Sequence, residues 1–312
     1  MEYILLIVGF VLLIKGADLF VDGASSVAAK LKVPSLIIGL TVVSIGTSLP
    51  EAAVSISASL SGNNSISLGN VIGSNIFNLL MVVGVSSAIL PLVTDRDMLK
   101  RDMPINIGIT VLLGILLFDG NLSRLEALLL LLLLVAYMFL LIRSALKNRV
   151  EAEETKVLSW AKSIVFIVLG MAAIIGGGQL VVNSAKTIAM ALGMSETLVG
   201  LTVVAIGTSL PELVTSVVAA RKGDSGIAMG NVIGSNLFNI LFILGMAGVI
   251  KPLTADAAFF IDTGILLGIS ALMLLFAFTK RKISRVEGIT CVLIYVAYTA
   301  YIIMRAYHIW IF

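Results

Sequence analysis

The sequence predicts an all-α fold: a polytopic membrane protein with ten transmembrane helices arranged as two inverted five-helix repeats. Composition is the first observation behind this prediction. Of 312 residues, 59% are hydrophobic and 12% are charged, with a mean hydropathy of +1.11, whereas about 25% of residues in soluble domains are charged. Long apolar segments and an internal repeat are the second and third observations. Together they exclude a soluble globular domain.

Ten segments are apolar enough to form transmembrane helices, which need about 20 residues to cross the hydrocarbon. They cover roughly residues 3–29, 35–61, 66–90, 103–118, 124–143, 160–190, 196–220, 226–250, 258–278 and 286–311. The fourth segment is short and lies between Asp102 and Asp119. We number these predicted spans 1 to 10 in chain order.

Basic residues set the predicted orientation, because the cytoplasmic loops of membrane proteins carry an excess of Lys and Arg. The loops after spans 1, 3, 5, 7 and 9 hold sixteen of the 21 Lys and Arg residues, and the opposite loops hold four. We therefore expect a multi-pass protein of the cell membrane. Both termini should lie outside the cytoplasm, and the loop of residues 143–162 should lie inside.

An internal repeat divides the chain into two halves. Residues 39–92 align with residues 200–253 without a gap, at an offset of 161 residues, and more than half of the aligned pairs are identical. The repeating unit is about five helices long. Because five is odd, the second copy enters the membrane inverted, which is an arrangement of secondary transporters. We predict one integrated transmembrane domain with a first repeat at 1–143, a cytoplasmic linker at 144–159 and a second repeat at 160–312.

One duplicated motif places polar groups inside predicted spans 2 and 7. It reads GLTVVSIGTSLPE at residues 39–51 and GLTVVAIGTSLPE at residues 200–212. Pro50 has no N–H, so the carbonyl of Gly46 loses its helical partner. In a membrane, free carbonyls are tolerated only where they line a cavity or find another partner. With Glu51 directly after the proline, we expect a broken helix at a cation site, and the second copy repeats it at Pro211 and Glu212.

A companion motif follows in spans 3 and 8, as GNVIGSNIFN and GNVIGSNLFN. Its polar residues recur every four positions and therefore share one helix face. They are Asn70, Ser74 and Asn78 in the first copy and Asn231, Ser235 and Asn239 in the second. Its glycines allow close approach to the broken helices. Oxygen ligands without Cys or His suit Ca²⁺ and Na⁺ better than Mg²⁺ or soft transition metals.

The polar residues of these spans also have a structural interpretation. A carboxylate at mid-membrane can be protonated and merely bridge helices, and Ser or Asn side chains often link helices by hydrogen bonds. A charged intramembrane residue costs about 2.5 to 3.5 kcal/mol, however, and is a functional candidate by default. We therefore favour a site at Glu51 and Glu212. Both interpretations stay open for four asparagines, Asn70, Asn75, Asn231 and Asn236.

Composition also limits other classes. The net charge of +3 comes from short loops and not from a folded basic face, so we expect no nucleic-acid partner. The single cysteine, Cys291, rules out an internal disulfide. Asp18 follows Lys15 by one turn, which predicts a local ion pair near the outer half of the membrane. We expect no enzyme, no cofactor and no obligatory protein partner; the ions and the lipid bilayer are the expected partners.

The duplicated GTSLPE and GNVIGSN motifs resemble the two α-repeats of the cation/Ca²⁺ antiporter superfamily. The compact chain is similar to prokaryotic Na⁺/Ca²⁺ exchangers over essentially its whole length. This resemblance implies that spans 2, 3, 7 and 8 hold the ions while long spans 1 and 6 slide past them. It implies a Ca²⁺ site made of the Glu51 and Glu212 carboxylates and the Thr47 and Thr208 carbonyls. The Na⁺ sites it implies use Ser48, Ser74, Ser209, Ser235, the carbonyls of Ser44 and Ala205, and Asn78 and Asn239 in the middle.

Two positions depart from the family pattern. Some prokaryotic exchangers and the K⁺-dependent eukaryotic branch carry Asp where this chain has Asn239, so two carboxylates remain and the Na⁺ stoichiometry stays open. Ser44 adds a hydroxyl in the first repeat only. We predict a Na⁺-driven Ca²⁺ antiporter in which both ions compete for the two glutamates. H⁺/Ca²⁺ exchange is the alternative, and an uncoupled cation channel is the rival from another class.

Overall fold

The computed structural model describes residues 1–148, 157–194, 205–255 and 257–306, and this part of the chain is mostly helical. The helices are α1 (Glu2–Leu31), α2 (Ser35–Ile38), α3 (Ser44–Thr47), α4 (Leu49–Leu60), α5 (Asn64–Phe77), α6 (Val83–Ile89), α7 (Met103–Leu116), α8 (Arg124–Lys147), α9 (Trp160–Ala191), α10 (Ala205–Thr208), α11 (Leu210–Arg221), α12 (Ser225–Phe238), α13 (Gly245–Ile250), α14 (Ala257–Lys280) and α15 (Arg285–Ala306). The strands are β1 (Leu92–Val93), β2 (Asn121–Leu122), β3 (Leu253–Thr254) and β4 (Lys282–Ile283). Turns of π-helix lie at Gly39–Val43, Asn78–Val82, Met98–Asp102 and Asn239–Leu244.

Seven continuous helices in the described part of the chain are long and apolar enough to cross a membrane. Two of them, Ile66–Ile89 and Ser225–Ile250, run through the π-helical turns that separate α5 from α6 and α12 from α13. A further span is formed by a bent pair, Ser35–Thr47 and Leu49–Leu60, which meet at 50°. The prediction of a polytopic, mainly helical membrane protein is therefore confirmed. Predicted span 4 corresponds to α7, which has only 14 residues. Predicted span 7 begins within residues 195–204, outside the described ranges, so the number of ten spans stays a prediction.

At several described positions the second half repeats the backbone conformation of the first, 161 residues later. Ser48 has φ −86° and ψ 6°, and Ser209 has φ −93° and ψ 8°. Each of these serines separates two helices. A π-helical turn begins at Asn78 after α5 and again at Asn239 after α12. The repeat seen in the sequence is thus also a repeat of local structure.

Two short strand pairs join the halves. β1 pairs antiparallel with β4, with Leu92 opposite Ile283. β2 pairs antiparallel with β3, with Leu122 opposite Leu253. At the 161-residue offset, β1 is equivalent to β3 and β2 is equivalent to β4, so the two pairs are equivalent to each other. Each half therefore gives one strand to each pair, which is the exchange expected when a two-fold axis relates the halves.

The two longest helices, α1 and α9, cross at glycines. They have 30 and 32 residues, and their ends lie within two residues of the predicted spans 1 and 6. A Cβ added at Gly170 would lie 2.7 Å from the carbonyl oxygen of Gly16, and one at Gly177 would lie 2.7 Å from that of Gly9. The two backbones are therefore in direct contact. Gly9 is equivalent to Gly170 in the repeat and Gly16 to Gly177, so the two glycine contacts are equivalent as well.

The loops predicted to be cytoplasmic meet on one face of the molecule. The N–H of Leu158 donates to the Ser26 hydroxyl at 3.3 Å, and the N–H of Val93 donates to the Ser225 hydroxyl at 3.2 Å. The β1–β4 pair joins the loops after spans 3 and 9, while the β2–β3 pair joins two of the loops poor in basic residues. The loops rich in Lys and Arg therefore lie together, and two of the loops poor in these residues also lie together. The orientation of the protein in the membrane stays a prediction.

The predicted ion pair between Asp18 and Lys15 is wrong. The Nζ of Lys222 lies 3.6 Å from Asp18 Oδ1 and 2.7 Å from Asp22 Oδ1, and it donates to the Asp18 carbonyl at 2.9 Å. Asp18 and Asp22 are four residues apart on one helix face, so one long side chain from the loop after α11 reaches both. This loop lies on the face where the loops rich in Lys and Arg meet, so Asp18 lies toward that face and not toward the loops poor in basic residues, where it was predicted.

Candidate cation site

Pro50 breaks the second span, as predicted. α3 ends and α4 begins on either side of Ser48, and Pro50 lies in the first turn of α4, where its missing N–H is tolerated. The N–H of Ser48 donates to the Ser44 carbonyl at 3.1 Å, and the N–H of Ala52 donates to the Ser48 carbonyl at 3.0 Å. The interruption is therefore about one turn long. Ser209 interrupts the second repeat in the same way, between α10 and α11.

The two glutamates are held by serines of the opposite repeat. Glu51 and Glu212 are 0% and 1% exposed. The Ser48 hydroxyl donates to Glu212 Oε1 at 2.8 Å, and the Ser209 hydroxyl donates to Glu51 Oε1 at 2.9 Å. The Ser209 hydroxyl also lies 3.1 Å from the Ser74 hydroxyl on α5. Five of the predicted site residues therefore form one buried cluster drawn from both halves of the chain.

The hydroxyls of the two threonines beside the glutamates differ in their partners. That of Thr47 donates to Asn231 Oδ1 at 2.9 Å, and that of Thr208 is buried without a hydrogen-bond partner among the described residues. The resemblance assigned the backbone carbonyls of the two threonines to the site. The structure gives the Thr47 hydroxyl a different role, because its bond to Asn231 joins the two halves.

Each glutamate keeps one oxygen without a donor. Glu51 Oε2 and Glu212 Oε2 are buried and have no hydrogen-bond partner among the described residues, and the same is true of Asn78 Oδ1 and Asn239 Oδ1. A buried acceptor left unpaired costs about 1 to 3 kcal/mol, and more when it is charged. The same two oxygens are left unpaired in each repeat, so these four acceptors follow the internal repeat of the chain. Oxygens of this kind are what a dehydrated cation requires.

Ser44 contributes its carbonyl to the cluster and not its side chain. Its hydroxyl donates to the Thr41 carbonyl at 3.2 Å, within its own helix. Its carbonyl lies 3.5 Å from the Ser235 hydroxyl. The hydroxyl that distinguishes Ser44 from Ala205 is thus used locally. Ala205 is the first residue of α10, directly after residues 195–204, which lie outside the described ranges.

Asn70 and Asn231 cross-link helices within each repeat, one of the two interpretations that the sequence left open. Asn70 Nδ2 donates to the Glu51 carbonyl at 3.2 Å and to the Ser55 hydroxyl at 2.9 Å. The second repeat has the same two bonds from Asn231, to Glu212 at 3.3 Å and to Ser216 at 2.9 Å. These bonds fix the backbone of each glutamate to the neighbouring helix.

Glycines bring the companion helix α12 against the first half of span 2. A Cβ at Gly230 would lie 2.7 Å from the Leu36 carbonyl oxygen, and one at Gly234 would lie 2.8 Å from the Leu40 Cα. The predicted close approach is therefore confirmed on this side. At the 161-residue offset, the partners of Gly69 and Gly73 fall in residues 195–204, outside the described part of the chain.

The sequence did not separate Asn75 and Asn236 from structural residues, yet the structure places both beside the site. Asn239 Nδ2 donates to Asn75 Oδ1 at 2.9 Å, and Asn78 Nδ2 donates to Asn236 Oδ1 at 3.1 Å. Both occupy the same place in the two copies of GNVIGSN, which was the sequence signal that they belong to the site. Their partners lie in the opposite half and could be identified only from the structure.

Two carboxylates and neutral oxygens make up the cluster. Within the described ranges, no three His, Cys, Asp or Glu side chains are placed to hold a metal together. A ligand set of hydroxyl, amide and carboxylate oxygens suits hard cations. Fold and site together define a polytopic membrane protein with a buried cluster of polar oxygen atoms drawn from both halves.

Comparisons with known proteins identify the family. The model of the family described as sodium/calcium exchanger protein matches residues 1–143 and 162–304. The sodium/calcium exchanger MaX1 of Methanosarcina acetivorans is 39% identical over 339 residues, covering 95% of this chain and 97% of the relative. The inner membrane protein YrbG of Escherichia coli is 38% identical over 289 residues, covering 88% of each chain.

Solved structures agree with this result. A structure of the sodium-calcium exchanger NCX_Mj, soaked with 2.5 mM Na⁺ and 0.1 mM Ca²⁺, superposes with a TM-score of 0.86 at 33% identity, covering 96% of this chain and 97% of that one. The chain therefore belongs to the sodium/calcium exchanger family, a family of transporters. Its family match divides at the point where the sequence divides into two repeats.

Proposed function

We propose that this protein is a secondary active antiporter that exchanges Na⁺ for Ca²⁺ by alternating access. The observation that carries the proposal is the pair of Glu51 and Glu212. Each is held by a serine of the opposite repeat and keeps one buried oxygen without a donor. Two carboxylates balance the charge of one Ca²⁺, and they can instead bind Na⁺ ions. The two kinds of ion therefore compete for the same oxygens, as the names of the related exchangers suggest.

The proposed ligands are those of the buried cluster. Ca²⁺ binds to Glu51 and Glu212 together with Thr47 and Thr208. Na⁺ binds at flanking positions that use the hydroxyls of Ser48, Ser74, Ser209 and Ser235, the carbonyls of Ser44 and Ala205, and the amide oxygens of Asn78 and Asn239. Hard, flexible oxygen ligands allow the variable coordination that Ca²⁺ accepts.

We also infer that the chain forms ten spans in two inverted repeats, residues 1–143 and 160–312, joined by a cytoplasmic linker at 144–159. The exchange of strands between the halves and the symmetric crossing of α1 and α9 support a two-fold axis in the membrane plane. The basic loops then face the cytoplasm, and both termini lie outside. Such halves can exchange conformations, which gives outward-open and inward-open states of similar energy.

Ion binding is what permits the exchange between these states. Two unloaded carboxylates at mid-membrane repel each other strongly, because the surrounding dielectric constant is low. A cation neutralises them and lets the loaded core pass the apolar surface of its neighbours. α1 and α9, which touch through glycines, then move past the core as one pair.

The test is Ca²⁺ uptake into proteoliposomes loaded with Na⁺. We expect an outward Na⁺ gradient to drive uptake, and we expect Glu51→Gln or Glu212→Gln to abolish it, since each removes one of the two charges that balance Ca²⁺. Glu2→Gln, at the start of α1, is the control and should leave uptake unchanged. Full uptake in both site variants would refute the proposal.

The driving ion is tested in the same vesicles. A pH gradient with Na⁺ absent should drive little Ca²⁺ uptake if Na⁺ is the coupled ion. Uptake that follows the pH gradient and ignores Na⁺ would instead assign the protein to H⁺/Ca²⁺ exchange. A current that flows without any counter-ion gradient would indicate a channel.

A further inference from the structure

We infer that Asn75 and Asn236 are positioning residues that turn the amides of Asn239 and Asn78 so that two neutral oxygens face the middle of the site. This inference rests on the proposed function. The four asparagines come from equivalent helices of the two halves, and all are 0% or 1% exposed. Their contacts run between the halves and are the same in both directions.

The orientation starts from the backbone. Asn75 Nδ2 donates to the carbonyl of Asn236 at 3.2 Å, and Asn236 Nδ2 donates to the carbonyl of Asn75 at 3.4 Å. A backbone carbonyl can only accept a hydrogen bond, so the nitrogen of each amide must face it. The Oδ1 of each of these residues therefore points the other way, as an acceptor.

The second step passes this orientation to the next amide. Asn239 Nδ2 donates to Asn75 Oδ1 at 2.9 Å, and Asn78 Nδ2 donates to Asn236 Oδ1 at 3.1 Å. Because Oδ1 of Asn75 can only accept, Asn239 must present its nitrogen to it. Oδ1 of Asn239 is then turned away, and it is one of the buried oxygens without a donor. The same steps lead from Asn236 to Asn78.

A purely structural network would leave a different pattern. Side chains that only hold helices together pair their acceptors as well as their donors, since an unpaired buried acceptor costs about 1 to 3 kcal/mol. Here each of the four amide nitrogens has an acceptor, and the free groups are the oxygens of Asn78 and Asn239. Asn106 Oδ1 on α7 is also buried without a partner in the described part of the chain, so the distinguishing feature is that the same two steps free the same oxygen in both halves. These two free acceptors are placed where a cation can bind.

The backbone at this point is also irregular. Asn78 and Asn239 each begin a π-helical turn, and the N–H of each is shared between two carbonyls of the preceding turn, one of them from Asn75 or Asn236. Turns of this kind occur frequently at functional sites. The positioning residues thus control both the backbone and the amide of the residue three positions later.

Removing a positioning residue frees the amide beyond it. In Asn75→Ala, the amide of Asn239 is no longer fixed and can present Nδ2 hydrogens, which repel a cation, in place of Oδ1. We expect the Na⁺ concentration for half-maximal Ca²⁺ release to rise about two- to thirteenfold, the factor that corresponds to a hydrogen bond of about 0.5 to 1.5 kcal/mol. The maximal rate should change less. Asn236→Ala should behave in the same way through Asn78.

A double-mutant cycle separates positioning from a general loss of stability. If Asn75 acts through Asn239, then Asn75→Ala has little further effect in an Asn239→Ala background but keeps its effect with Asn78→Ala. The opposite pairing holds for Asn236. Asn106→Ala is the matched control, because Asn106 is also a buried asparagine, 2% exposed, on α7. Additive effects in all four combinations, or equal coupling to both partners, would overturn the inference.

The cycle is read from Na⁺ binding as well as from transport. The Na⁺ concentration that half-maximally stabilises the detergent-solubilised protein against heat requires no flux. Crosswise coupling in this binding measurement supports the positioning role even if the unaltered protein shows no Na⁺-driven Ca²⁺ uptake, a result that would refute only the proposed function. Absence of crosswise coupling in a protein that does exchange the ions would refute only the positioning role.

Discussion

Ser48 and Ser209 carry the contact between the two repeats at the glutamates. Each hydroxyl donates to the carboxylate of the other half, at 2.8 and 2.9 Å. A hydrogen bond to a charged group contributes about 1.5 to 3 kcal/mol. We therefore expect Ser48→Ala and Ser209→Ala each to weaken Ca²⁺ binding by about tenfold or more.

Isothermal titration of the purified protein measures this effect. Ser59→Ala is the matched control, since the Ser59 hydroxyl is equally buried but donates to the Ala247 carbonyl away from the glutamates. Because the halves are related by symmetry, the two site variants should weaken binding by similar factors. A loss in only one of them, or an equal loss in the control, would contradict the arrangement described here.

At this scale, the sequence predicts the residues whose chemistry is local. Pro50 breaks its own helix, and Glu51 directly after it is costly in a membrane, so both can be recognised without a structure. The pairing of Lys222 with Asp18 could not be predicted in this way, because it joins residues about 200 positions apart. The orientation of the asparagine amides likewise depends on contacts between the halves.

At the scale of elements, the α1–α9 crossing is the contact most sensitive to side-chain size. A Cβ at Gly170 would lie 2.7 Å from both the Gly16 carbonyl oxygen and the Phe20 nitrogen, and backbone atoms cannot move aside as a flexible side chain does. We expect Gly170→Ala to lower the melting temperature in detergent and to slow exchange. The cause is the forced separation of the two helices.

Gly176→Ala is the control for this prediction. It makes the same substitution in the same helix, at a position where no described residue comes within 4 Å of the added Cβ. Alanine is preferred over glycine in a helix by about 1 kcal/mol, so the control should be neutral or slightly stabilising. Equal behaviour of the two variants would show that the crossing does not depend on glycine.

Element boundaries divide into two groups. The ends of α1 and α9 follow from apolar length and agree closely with the sequence. The π-helical turns at Asn78 and Asn239 do not follow from periodicity; each begins at an asparagine whose amide contacts the opposite half. The short α7 also shows that apolar length alone does not settle how predicted span 4 crosses the membrane.

At the scale of the whole molecule, the repeat is the most informative feature of the sequence. A constant offset predicted that each half would supply one glutamate, and the structure places Glu51 and Glu212 beside serines of the opposite half. The strand exchange between halves was not predictable, since strands of two residues carry no usable pattern. The architecture follows from duplication, while the contacts between the copies require the fold.

The central claim is that Glu51 and Glu212 form one shared ion site. The most direct measurement is a double-mutant cycle on Ca²⁺ binding, by isothermal titration of the wild type, Glu51→Gln, Glu212→Gln and the double variant, with and without Na⁺. We predict one high-affinity Ca²⁺ per chain, displaced by Na⁺, with either substitution abolishing it and the double variant adding no further loss. Two Ca²⁺ ions bound independently, each lost with one glutamate, would contradict the claim.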